Sequence, residues 1–141
     1  GNGVHNWGGR GIIPEEGGGE RGSSNEFREY DIVDVITLDS LKIPHCDLLK
    51  IDIQGYEYYA FKGAKKLLNK FKPVILLENP LEDNEIDTKS KNYLQEIGYE
   101  VYRFGVGNRE DCIVIHPESK NYFKAKQIID SITTKYNIKP E

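Results

Sequence analysis

A chain of 141 residues is one domain's worth, long enough for a real core and short for a complete nucleotide-binding enzyme. Its 19 Lys and Arg against 23 Asp and Glu leave a net charge of −4, so no global basic field draws it to nucleic acid, and the cluster Lys62, Lys65, Lys66, Lys70 and Lys72 reads as a solvated helix face. No signal peptide opens the chain and no apolar run nears the roughly 20 residues that cross a bilayer, while Cys46 and Cys112 lack the spacing of a zinc site or a disulfide framework. The expectation is a cytoplasmic protein with reduced thiols and no membrane partner. With Gly1 first and no methionine anywhere, an upstream portion is expected to have been removed or never captured.

Residues 1–29 hold most of the glycines without helical or strand periodicity, which reads as a loop or a partly disordered segment. A phosphate-loop alignment over residues 17–23 fails, because the lysine is missing and no strand precedes it. Trp7, beside His5 and Asn6, suits either a substrate contact or an anchor of this loop onto the domain. Residues 30–38 alternate as a strand, residues 37–41 turn, and Pro44 bars a helix.

Residues 47–57, DLLKIDIQGYE, are the centre of the chain. Leu48, Leu49 and Ile51 form an apolar run broken only by Lys50, with Ile53 following beyond Asp52, as suits a parallel strand covered on both faces. In open α/β sheets ligands bind beyond the carboxyl ends of the strands, which puts Asp52, Gln54 and Glu57 where chemistry is expected. Gly55 allows a positive φ, and Glu57 falls in the first turn of the next helix, either as a dipole-stabilising charge or as a functional one.

That helix packs Tyr56, Ala60, Ala64, Leu67, Leu68 and Phe71 on one face, with Gly63 as a point of division. A second buried strand over 74–77 stops at Glu78-Asn79, and the order strand, helix, strand predicts a βαβ unit that brings two strand ends together. A helix over 86–97 ends at Gly98, strands over 99–104 and 112–116 flank a loop over 105–111, and residues 122–136 form an amphipathic helix packed on the sheet.

The segments VITLDSL at 35–41, DLLKIDIQGYE at 47–57, KGA at 62–64 and KPVILLE at 72–78, with Leu94 and Gly98-Tyr99, together resemble the carboxyl-terminal half of the FkbM family of S-adenosylmethionine-dependent methyltransferases. The resemblance covers about residues 30–116 in family order. It implies an α/β, Rossmann-like class I methyltransferase fold, whose seven-stranded sheet has an antiparallel last strand; this half would supply parallel strands plus a terminal antiparallel hairpin. The chain then divides into a glycine-rich segment 1–29, the methyltransferase half 30–118 and a terminal helix 119–141.

The implied activity is methyl transfer from S-adenosylmethionine to a hydroxyl oxygen of a sugar or other small metabolite. The resemblance marks Asp52, Glu57 and Glu78 as catalytic candidates, with Asp52 first as base. The candidates for cofactor binding are Asp52 and Gln54, and those for the acceptor are Trp7 and Asn79. Asp52 with Glu78 and Asn79 also resembles the oxygen-ligand set of metal-assisted catechol-type methyltransferases, which would place a divalent ion such as Mg²⁺ there. The chain departs from the family in lacking an acidic, glycine-rich turn after a first strand and the acid of a second strand. The expectation is therefore the acceptor side of a cleft, with an exposed sheet edge that invites a homodimer. A binding or scaffold domain that has lost the donor is the reading from another class, and an unrelated Rossmann-like oxidoreductase half fits the architecture but not the motif spacing.

Overall fold

The computed structural model describes residues 34–53, 55–79, 85–106 and 109–136. The chain divides into two compact units, Gly1–Val35 and Ile36–Glu141, and every element below belongs to the second.

The described part of the first expected strand is not one. Residues 34–37 are irregular and Leu38–Leu41 forms a 3-10 turn, while residues 30–33 lie outside the described residues. The apolar alternation misled because Val35 and Ile36 are both exposed. What this segment does instead is start a helix. The Asp39 carboxylate accepts the amides of Lys66 and Leu67, each at 2.9 Å, from 27 and 28 positions away in sequence. The cap position of that helix is Ala64, which has no side-chain acceptor of its own.

The predicted division at Gly63 is observed, giving α1 (Glu57–Lys62) and α2 (Lys65–Phe71). The Gly63 carbonyl accepts the Asp39 amide at 2.9 Å, and a Cβ at Gly63 would stand 3.3 Å from Thr37 Cβ and Cγ2. The close approach of the Thr37 side chain thus accounts for the glycine of the KGA motif. Removing the cap by Asp39→Ala is expected to cost about 1–2 kcal/mol of stability in a urea titration, with Asp39→Asn recovering part of it.

The strand β1 (Leu48–Ile51) pairs in parallel with β2 (Val74–Asn79), in the register Leu48↔Val74 to Ile51↔Leu77, as the βαβ reading requires. β1 is not covered on both faces, however: Leu48 and Lys50 are exposed, whereas Leu49 is half-buried and Ile51 buried. Helices cover only the second of these faces at β1. Among the described residues, moreover, β1 has a strand partner on one side alone.

The helix α3 (Glu85–Glu96) ends as predicted at Gly98, with φ +93°. The Gly98 amide donates to the Gln95 carbonyl and the Tyr99 amide to that of Leu94, both at 3.0 Å, so a left-handed glycine satisfies the carbonyls the helix leaves open. The hairpin that follows is longer than the pattern implies. β3 (Glu100–Val106) and β4 (Arg109–Ile115) stay paired down to Val106↔Arg109, so residues 105–106 and 109–111 belong to strands. Their polar composition resembles a loop, yet only two residues separate the strands.

β4 also lies antiparallel to β2, which sets the order β1-β2-β4-β3. β1, β2 and β3 therefore share one direction and β4 alone opposes them. One face of this mixed sheet buries Ile51, Ile75, Leu77, Cys112 and Val114 under Phe61, Ala64, Leu67, Leu68 and Leu94 of α1 to α3. The other face packs Phe104 and Ile115 against Ala125 and Ile129 of α4 (Tyr122–Tyr136), as the amphipathic pattern predicted.

His116 closes the edge of the first layer. Its ring meets Tyr99 edge-on at 5.1 Å, and its Nδ1 accepts the Glu118 amide at 3.1 Å. Burial, then the Lys72 ammonium, hold its pKa below the ordinary imidazole value, against the opposing influence of Glu118, the Ile97 carbonyl and Glu100. The unfolded chain thus takes up this proton more readily than the fold. The stabilisation is complete above the ordinary value of 6.5 and is lost as pH falls through the lower, folded value. Denaturant midpoints are expected to drop between about pH 7 and pH 5, and to drop less in His116→Gln.

Candidate functional site

The carboxyl ends of β1 and β2 come together as the sequence pattern predicts. Ile51 lies opposite Leu77, so the next residue on each strand, Asp52 and Glu78, occupies a neighbouring position on adjacent parallel strands. Asp52 keeps about a third of its side chain exposed, 35%, and its carboxylate lies 3.7 Å from the Lys50 ammonium. That exposure leaves part of the group accessible to a ligand. Glu78 is half-buried on β2, and the antiparallel ladder puts Asp111 across from it.

Glu57 is placed differently from the other acids. It is 2% exposed, and its Oε1 accepts the amides of Ile53 at 3.3 Å and Gly55 at 3.1 Å. Its Oε2 is buried and has no hydrogen-bond partner. The bend from strand to helix runs through Gly55 at φ +97°, and a Cβ there would meet nothing within 4 Å, so the glycine is required by the dihedral alone.

Beyond this turn α1 presents a row of tyrosines that the sequence pattern did not single out as a group. The rings of Tyr56 and Tyr59 lie 6.4 Å apart, those of Tyr58 and Tyr59 5.5 Å, and those of Tyr58 and Tyr93 6.1 Å. The Lys62 ammonium stands 5.8 Å and 5.9 Å from the Tyr58 and Tyr93 rings. Tyr59 is exposed. Three tyrosines around one glutamate are a visible signal, but helical spacing sends Tyr58 towards α3 and only the fold leaves Tyr59 open.

Trp7 and Gln54 lie outside the described residues. Asn79 closes β2 and pairs through its backbone with Glu110; its side chain also lies outside what is described. The structure therefore brings Asp52, Glu57 and Glu78 to one end of the sheet and leaves the other three untested. Among the described residues no group of three or more His, Cys, Asp or Glu side chains could hold a metal ion, and the expected Mg²⁺ set differs from such a group in including Asn79, whose side chain lies outside what is described.

Two other features carry charge. Between the 3-10 turn and α2 a cavity of about 100 Å³ is lined by Leu38, Ile43, Leu67 and Phe71 with Asp39, Lys42, Lys66 and Lys70, and none of the strand-end acids reaches it. At the opposite end of β1, Asp47 meets Lys120 Nζ and His45 Nε2, each at 2.7 Å. Hydrogen bonds from Lys120 and His45 hold the Asp47 carboxyl below the usual range. This exposed group ties the start of β1 to the turn before α4. No helix among the described residues is long and apolar enough to cross a membrane.

The family model described as the methyltransferase FkbM domain matches residues 4–104. Its span reaches well before residue 30, where the motif resemblance begins, so the glycine-rich segment falls within the family domain; it ends inside β3. Among curated proteins and among solved structures nothing matches.

Proposed function

The chain belongs to the FkbM methyltransferase family, and on that premise we propose that it transfers a methyl group from S-adenosylmethionine to a hydroxyl oxygen of a sugar or other small metabolite. The observation that carries this reading is the accessible Asp52 carboxylate at the end of β1, beside Glu78 at the end of β2. A sheet in which β4 alone opposes its neighbours supports a Rossmann-like class I methyltransferase fold, of which these strands are the carboxyl-terminal half. Ligand sites in such sheets lie beyond the strand ends that hold these two acids.

S-adenosylmethionine would supply a methyl group on a sulfonium, open to direct displacement. The acceptor oxygen must stand behind that methyl and lose its proton as the carbon–oxygen bond forms. We assign Asp52 to take the proton, and Glu78 to accept a hydrogen bond from a neighbouring hydroxyl of the acceptor. Tyr56 and Tyr59, just past the turn, supply apolar surface for the acceptor's carbon skeleton. Gln54 is proposed for the donor, and Trp7 and Asn79 for the acceptor.

The fit to the donor is partial: the described residues offer a carboxylate and a glycine turn at one strand end. The deciding experiment is calorimetric titration of S-adenosylmethionine into the protein, after circular dichroism has established that it is folded. Saturable one-to-one binding is expected. A folded sample that binds none would take the donor site out of this chain and leave it the acceptor side alone.

A further inference from the structure

We propose that Glu57 is a positioning residue, whose buried carboxylate shapes the strand-end turn that carries Asp52 and which neither gives nor takes the transferred proton. The inference rests on the reading of Asp52 as the base. At 2% exposure Glu57 is closed to an acceptor hydroxyl, whereas Asp52, five positions earlier, is open. Nor does its carboxylate serve the start of its own helix. A first-turn acid normally acts through the helix's unpaired amides, and it can do so from an exposed position.

The bonds of Glu57 run backwards instead, to the amides of Ile53 and Gly55, on either side of residue 54 and outside α1. At 3.3 Å and 3.1 Å both fall at the long end of ordinary amide hydrogen bonds. Together they clamp the chain just after Asp52, where it leaves the sheet and before Gly55 turns it into the helix. No salt bridge accompanies the burial, since Oε2 meets no donor. A carboxylate kept out of water with one oxygen unmatched is a costly arrangement. What it provides is a fixed direction for the segment that begins at Asp52.

The test is amide hydrogen exchange by NMR on the whole chain, with turnover measured beside it. In the wild type, Ile53 and Gly55 are expected to be protected although they lie outside any strand or helix. Glu57→Ala is expected to speed their exchange at least tenfold relative to the amides of the β2–β4 ladder. Glu57→Gln, which keeps an oxygen at the Oε1 position, is expected to restore most of both the protection and the lost kcat, with KM changing less than kcat.

Unprotected Ile53 and Gly55 amides in the wild type would overturn the proposal without any variant, as would Glu57→Ala speeding exchange across the whole ladder equally. Loss of turnover in Glu57→Gln as complete as in Glu57→Ala, with the turn still protected, would make Glu57 a proton carrier and overturn it too. A wild type that binds no donor defeats the assignment of Asp52, while the exchange rates still decide whether Glu57 sets the turn.

Discussion

Replacing Asp52 by Asn is expected to abolish methyl transfer and leave the fold intact. The amide keeps the size and shape of the side chain but cannot take a proton from the acceptor hydroxyl, and a positioned general base is worth about 10²- to 10⁴-fold in rate. The fold is expected to keep its stability, because Asp52 is partly exposed and outside the buried core and the amide is isosteric with the carboxylate. The measurement is release of S-adenosylhomocysteine with a panel of hydroxylated acceptors, together with a thermal melt. Wild-type turnover by the variant would take Asp52 out of the catalytic assignment. A loss of both turnover and melting temperature would mean that the residue serves the strand end as structure.

Leu68→Ala is expected to be the most damaging of the simple core truncations in α2, at about 2–5 kcal/mol. Leu68 is 0% exposed and sits under the sheet with Ile75, Leu77 and Leu94. Its backbone matters as well: the Leu68 carbonyl accepts the Lys72 amide at 3.0 Å, which closes α2 just before the buried Pro73. The cavity left by an alanine cannot be filled from either side, because α2 is held at one end by the Asp39 cap and at the other by that turn. A urea titration reads the effect as a lower midpoint with an unchanged slope. A loss below about 1 kcal/mol would mean that the site collapses around the cavity.

The difference between these two residues marks where sequence reasoning was enough. Leu68 could be placed in the core from its spacing with Ala64 and Phe71, because a helix with one wet face must alternate at that period. Asp52 and Glu78 could be placed at neighbouring strand ends from two apolar runs that each stop at an acid, since a short crossover helix makes the strands parallel. Gly98 could be recognised as a helix end because few other residues accept a positive φ. Each inference uses only local sterics or a periodicity that spans one element.

The failures have the opposite character. The alternation in residues 30–38 looks like a strand, but a strand exists only if another strand offers it hydrogen bonds, and in the described part none does. The second face of β1 was read as buried from its leucines and isoleucines, yet burial depends on what lies over the strand, and α4 packs over Val74, Tyr102 and Ile113 instead. The glycine, asparagine and charges of residues 105–111 predict a loop, whereas the ladder with β3 and β2 keeps most of them extended.

The sequence by itself determined the elements with a strong period, the βαβ order, the pair of acids at the strand ends and the family that their motifs resemble. Only the tertiary structure decided that Asp39 caps a helix 27 residues away, that β4 inserts between β2 and β3, and that Glu57 is buried and turned back onto Ile53 and Gly55 while Asp52 stays open. The physical reason is the same in each case. A side chain's identity states which bonds it can make, but which bonds it does make depends on donors and acceptors brought beside it by distant parts of the chain.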